Sequence, residues 1–118
     1  MNMKQILEKL NQEAGIIGSM VITPDGIMVA AALGPGLEED RVAAIVSGLL
    51  VSVRRCLSDL KTPGGLASCV LNANRGKILF FDMGNSFLVV VAQADIKVDA
   101  SVVPIRSAIH KIKNRRVA

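Results

Sequence analysis

The side chains able to do chemistry in this sequence are few and scattered. There is one histidine, His110, and there are two cysteines, Cys56 and Cys69. Nucleophilic catalysis needs a Cys or Ser within reach of a base that a third group orients. His110 has Arg106, Lys111 and Lys113 around it in sequence and no acid to complete a set with a Ser or Cys nucleophile, so it reads as a solvated surface residue. Cys56 and Cys69 form neither a CxxC pair nor a metal set. They read as two buried thiols behaving as small hydrophobes, with a redox pair as the alternative that a mass measurement with and without reductant would reveal. The carboxylates gather in one place, Glu38-Glu39-Asp40, and there negative charge at a helix start explains them. Gly34-Pro35-Gly36 and Pro63-Gly64-Gly65 fit neither the phosphate-loop nor the dinucleotide pattern and read as loop punctuation. The sequence therefore assigns no catalytic residue, no cofactor-binding residue and no metal ligand, and the chain is read as a non-enzyme without a cofactor.

Composition narrows the rest. A chain of 118 residues that is 51% hydrophobic forms one domain, residues 1–118, and is long enough to bury a core. With no Trp or Tyr and three Phe, that core is aliphatic. A bilayer span needs about 20 apolar residues. The longest apolar run, Val42 to Val53, stops at Arg41 and Arg54 and is too short, and no signal peptide opens the chain. The expectation is a soluble, cytoplasmic protein with no membrane partner. Residues 1–60 hold five bases and seven acids, residues 61–118 nine bases and three acids. The basic C-terminal face could touch phosphates. Stacking platforms for bases are missing, because Phe80, Phe81 and Phe87 sit in apolar strand runs, so a solvated face is preferred over nucleic-acid binding.

The elements that must position any surface follow from periodicity. Leu37 to Leu60 reads as one long helix, acidic at its start and carrying Arg54 and Arg55 near its end. Val42, Ile45, Val46, Leu49, Leu50, Val53, Leu57 and Leu60 recur at spacings of three and four, a stripe to pack on a sheet. Its other side holds Ala44, Gly48, Val51 and Ser52 flanked by Ser47 and Arg55, where a solvated face would carry Lys and Glu. Small residues there let a second backbone approach. Before this helix, Met3, Ile6, Leu7 and Leu10 mark a short amphipathic helix. Ile16 to Thr23 and Ile27 to Leu33 form a hairpin around Pro24-Asp25-Gly26. After it come strands at Leu66 to Ala73, Lys77 to Met83 and Ser86 to Ala94, the last with an apolar run suited to cover on both faces. A final helix places Val102, Ile105, Ile109 and Ile112 inward and Arg106, His110, Lys111, Lys113 and Arg115 outward, with Pro104 tolerable if Ser101 is the N-cap. The order α-β-β-α-β-β-β-α predicts an α+β sandwich of three layers: a five-stranded antiparallel sheet, the long helix on one face and the terminal helices on the other.

Taken together, Gly15-Ile16-Ile17-Gly18-Ser19-Met20-Val21-Ile22, Pro24-Asp25-Gly26 with Ile27-Met28-Val29-Ala30, the helix opening at Glu38-Glu39 and the strand start Gly76-Lys77-Ile78-Leu79 resemble the Roadblock (dynein light chain) family, over nearly the whole chain. The resemblance implies a homodimer in which the strand after the central helix pairs with its twin at the sheet edge, setting the two central helices side by side. Here that dimer interface would be Ala67, Ser68, Cys69, Val70 and Leu71 with Val51; Ser68 to Leu71 carries no charge or proline to guard an open edge. It also implies an adaptor without a catalytic centre. Bacterial gliding-motility members of the family stimulate a Ras-like GTPase, so the expected partners are a second copy and a small Ras-like GTPase. The partner interface would be Arg41, Ala44, Ile45, Gly48, Ser52 and Arg55, unless these form only the seam between helices. No arginine-finger role falls to any Arg here, and activation would come from positioning the GTPase's own groups. The alternative function is a scaffold subunit of a motor or signalling complex without a GTPase.

Overall fold

Asn2 caps the first helix. Its side chain accepts the Gln5 amide at 2.8 Å while the Gln5 side chain accepts the Asn2 amide at 3.0 Å, a reciprocal box that satisfies amides a helix start leaves free. In the computed structural model, which describes residues 2–114, this helix, α1 (Met3–Leu10), buries Ile6, Leu7 and Leu10. Strands β1 (Ile16–Ile22) and β2 (Met28–Ala32) follow as an antiparallel hairpin. Its turn carries Gly26 at φ 92°, a conformation that suits glycine. The Thr23 hydroxyl accepts the Ile27 amide at 2.9 Å.

Helix α2 (Glu39–Asp59) has Glu39 and Asp40 in its first turn. Its end is a Schellman motif: the Thr62 amide reaches the Leu57 carbonyl and the Lys61 amide the Ser58 carbonyl, both at 3.0 Å. Lys61 holds φ 55° there, a position glycine usually takes. Strands β3 (Ser68–Ala73), β4 (Gly76–Asp82) and β5 (Phe87–Ala92) form a meander, and α3 (Val98–Asn114) closes the chain. The sheet has five strands in the order β2-β1-β5-β4-β3, all antiparallel. The order, the three layers and the antiparallel sheet are those read from the sequence.

Strand β5 is central and its apolar run is buried on both faces. Leu88 and Val90 join Ile6, Leu7, Ile105 and Ile112 under the terminal helices. Phe87 and Val89 join Val46 and Leu50 under α2. A small polar pin ties α1 to the hairpin: the Ser19 hydroxyl donates to Asn11 Oδ1 at 2.8 Å, and Asn11 Nδ2 donates to the Ala32 carbonyl at 2.6 Å.

Three local expectations are corrected. Ile45 and Leu60, placed in the buried stripe of α2, are 58% and 71% exposed; spacing alone does not say how wide a strip of sheet lies beneath a helix. Cys56 is exposed and Cys69 half-buried rather than both buried. Arg54 and Arg55 do lie near the end of α2, just before its last turn. Ser101 is not an N-cap: α3 starts at Val98, so Ser101 lies inside, its hydroxyl donating to the Lys97 carbonyl at 3.1 Å, and Pro104 stands within the helix. Arg115 lies outside the described residues.

Candidate interaction surface

The outward side of α2 presents Arg41, Ala44, Gly48, Ser52 and Arg55, all exposed or half-buried, together with Ile45 and Val51, which is 44% exposed. An added Cβ at Gly48 would meet nothing within 4 Å, so the space above it is open. The six residues singled out as a partner surface therefore share one accessible side of one helix.

The two flanks of that helix differ. One leans on the β1–β2 turn: Arg54 Nη1 donates to the Pro24 carbonyl at 3.2 Å, and a Cβ at Gly26 would come within 2.8 Å of Ser47 Cβ. At about 100° per residue, Ile45, Ser52 and Cys56 fall on the opposite flank. Since β2 and β3 are the two ends of the sheet, that flank points toward β3.

Strand β3 pairs with β4 on one side and ends the sheet on the other. Its Cys69 and Leu71 lie half-buried against the cluster beneath α2. Ser68 is exposed, Val70 is 38% exposed, and Ala67 spends its carbonyl on the Asp82 amide at 2.9 Å. The proposed edge residues and the open flank of α2 thus lie on the same side of the molecule.

Several polar groups away from this side of α2 have structural partners. His110 faces Asn114, whose side-chain nitrogen lies 3.0 Å from its ring and 2.9 Å from its carbonyl oxygen. Asp25 is held below the ordinary carboxylate range by the Thr23 hydroxyl, then by its own backbone amide. Lys111 is lowered by Lys9, its neighbour across the α1–α3 groove. Among the described residues no three His, Cys, Asp or Glu side chains gather to hold a metal ion, and no helix is long and apolar enough to cross a membrane. An open groove of about 560 Å³ at the end of α2 is lined by Arg54, Arg55, Lys61 and the loop glycines Gly64 and Gly65; its width exposes these cations to solvent. The sequence reading passed over Asp59 and placed Cys56 among buried thiols; both are exposed at this end of α2. Their signal was positional, a matter of which flank of α2 they occupy.

The chain is similar to known proteins in sequence and in fold. Over 109 residues the chain is 29% identical to Uncharacterized protein MJ0714 of Methanocaldococcus jannaschii, covering 92% of each. Its fold is similar to that of a Roadblock/LC7 domain from Streptomyces avermitilis, with a TM-score of 0.83 at 15% identity across the whole of both chains. It is also similar to the gliding protein MglB from Thermus thermophilus, with a TM-score of 0.75 at 17% identity over 93% of this chain and 84% of that one. An MglB structure with a tetrameric arrangement is similar at a TM-score of 0.76, 16% identity and the same coverage. The model of the Roadblock/LC7 domain matches residues 3–92, and with that match and this fold the chain belongs to the Roadblock/LC7 family.

Proposed function

We propose that the protein is a homodimeric, non-catalytic adaptor that binds and regulates a small Ras-like GTPase. The observation that carries the reading is the uncovered side of α2, with Ile45 58% exposed and Gly48 open to solvent, continuous with the free edge of β3. Monomeric proteins seldom leave an apolar helix side next to an unpaired strand, because each is a ready site for association. A second copy completes the sheet through Ala67, Ser68, Cys69, Val70 and Leu71. The paired helices then form one broad platform from Arg41, Ala44, Ile45, Gly48, Ser52 and Arg55. The likeness to gliding-motility members supports a Ras-like GTPase as the partner on that platform.

The test is hydrolysis of GTP by a Ras-like GTPase from the same cell, with and without this protein, alongside light scattering to give its mass. A nucleotide-dependent complex and a changed hydrolysis rate support the reading. A dimer that neither binds the GTPase nor changes its rate leaves a scaffold subunit, and a monomer at micromolar concentration removes the platform itself. Gly48→Arg separates the two uses of the helix side, since the open space around Gly48 lets the protomer accept it. A dimer that loses GTPase binding marks a partner surface, a lost dimer marks the seam, and retention of both excludes either use.

A further inference from the structure

We infer that α2 packs antiparallel against α2 of a second copy in one register, centred near Leu50 and closed at each end by an ion pair between Arg41 and the partner's Asp59. This rests on the homodimer proposed above and specifies its geometry.

The argument is one of spacing on a helix whose orientation is known. Asp59 follows Arg41 by about five whole turns of 3.6 residues, so the two lie on a common line along α2, about 27 Å apart. Both are exposed and opposite in charge. Gly48 and Ser52 fall close to the same line, one on each side of Leu50. A twofold axis perpendicular to the helix sets a residue before the centre against the partner's residue an equal distance beyond it, and repeats the contact in reverse. One axis near Leu50 therefore matches Arg41 with the partner's Asp59 and Gly48 with the partner's Ser52, and brings Ile45 to within one residue of the level of the partner's Cys56. At the crossing Gly48 has no side chain, and its surroundings within the protomer are empty, so the backbones can close. On the sheet-proximal side Ile45, 58% exposed, is covered by a thiol, which packs as a small hydrophobe.

The line also faces the correct way. The opposite flank of α2 is occupied by the β1–β2 turn, through Arg54 to Pro24 and Ser47 against Gly26. The Arg41–Asp59 line therefore tilts toward β3, where a twin strand would add. Charge selects the register as well as the orientation. Sliding the helices so that the axis passes near Gly48 would bring Arg41 toward the partner's Arg55, and a parallel arrangement would bring Arg41 toward its own copy. Like charges in either case oppose the contact. In the matched register Ala44, Val51 and Arg55 stay on the outer crest, which moves Val51 from the dimer interface to the platform and Arg41, Ile45, Gly48 and Ser52 from the platform to the seam between the helices.

The experiment is sedimentation equilibrium of the full chain at low salt with two charge reversals. Arg41→Asp and Asp59→Arg are each expected to weaken the dimer about tenfold, since each replaces two attractive contacts with two repulsive ones. Mixed in equal amounts, the two variants form a heterodimer in which both end contacts again join opposite charges, one pair reversed and one pair as in the unaltered protein, with an affinity within about threefold of the unaltered protein. The unaltered dimer weakens as salt rises, because exposed pairs are screened. Circular dichroism checks that each variant is folded, and should a reversal unfold the chain, Arg41→Gln and Asp59→Asn must each flatten the salt dependence instead. Reversals that dimerise as tightly as the unaltered protein, or a mixture no tighter than its components, would overturn the register while leaving the dimer standing. An unaltered protein that stays monomeric overturns both.

Discussion

The sheet has two edges, and the molecule treats them differently. Strand β2 has five residues, and the groove beside its end is lined by Lys4 and Glu8 from α1 and by Glu39 from α2. Charged side chains at a strand edge discourage a foreign strand from adding. The β1–β2 turn also braces α2 on that side, through Pro24 and Gly26. Strand β3 has six residues, none charged and none proline, and α2 reaches it only far enough to leave Cys69 and Leu71 half-buried. An open edge is tolerated where something pairs with it, so the contrast favours β3 over β2 as the edge of the proposed interface without reference to any relative.

The sharpest way to break that contrast is to place the same charge on each edge. Val70→Lys on β3 should raise the dimer dissociation constant by about 100-fold, or about 2.7 kcal/mol. Val29→Lys on β2, where Val29 is 49% exposed, should leave the dimer unchanged and the fold within about 0.5 kcal/mol. Sedimentation and urea unfolding read the two quantities, and equal effects at both edges would erase the distinction. Next in size is the brace. Gly26→Ala puts a Cβ at a positive φ and within 2.8 Å of Ser47 Cβ, and should destabilise the protomer by about 1–2 kcal/mol in urea. At the other end of α2, Lys61→Gly relieves a left-handed lysine and should stabilise the protomer by about 0.5–1 kcal/mol without altering its self-association.

The smallest effect is a pH dependence confined to the braced side. The Asp25 carboxyl is held below its ordinary value by the Thr23 hydroxyl. A carboxyl lowered by folding adds stability above its unfolded pKa, and that contribution fades as pH falls through the folded one. Asp25→Asn should therefore be slightly less stable than the unaltered protein at neutral pH. The difference should vanish in acid below the ordinary carboxylate range, as urea midpoints across that range would show. A constant difference would assign Asp25 a role other than its charge.

Periodicity carried most of the fold. Turn residues, β-branched content and one apolar run marked the five strands, and the three-and-four spacing marked all three helices, because that spacing records which side of a helix meets the core. The residues of the candidate surface were legible for a related reason: Ala44, Gly48 and Ser52 are out of place on a solvated helix side. The exposure of Ile45, Cys56 and Leu60 was not. A helix pattern shows which direction is apolar, yet how much of that side is covered depends on how many strands lie under it. Here the sheet ends at β3, beneath one flank of α2. Local sequence thus determined the elements, their order and the unusual composition of α2. Only the tertiary structure decided which flank of α2 lies against the β1–β2 turn and which stands open beside an unpaired strand, because that depends on contacts between residues far apart in the chain, such as Arg54 with Pro24.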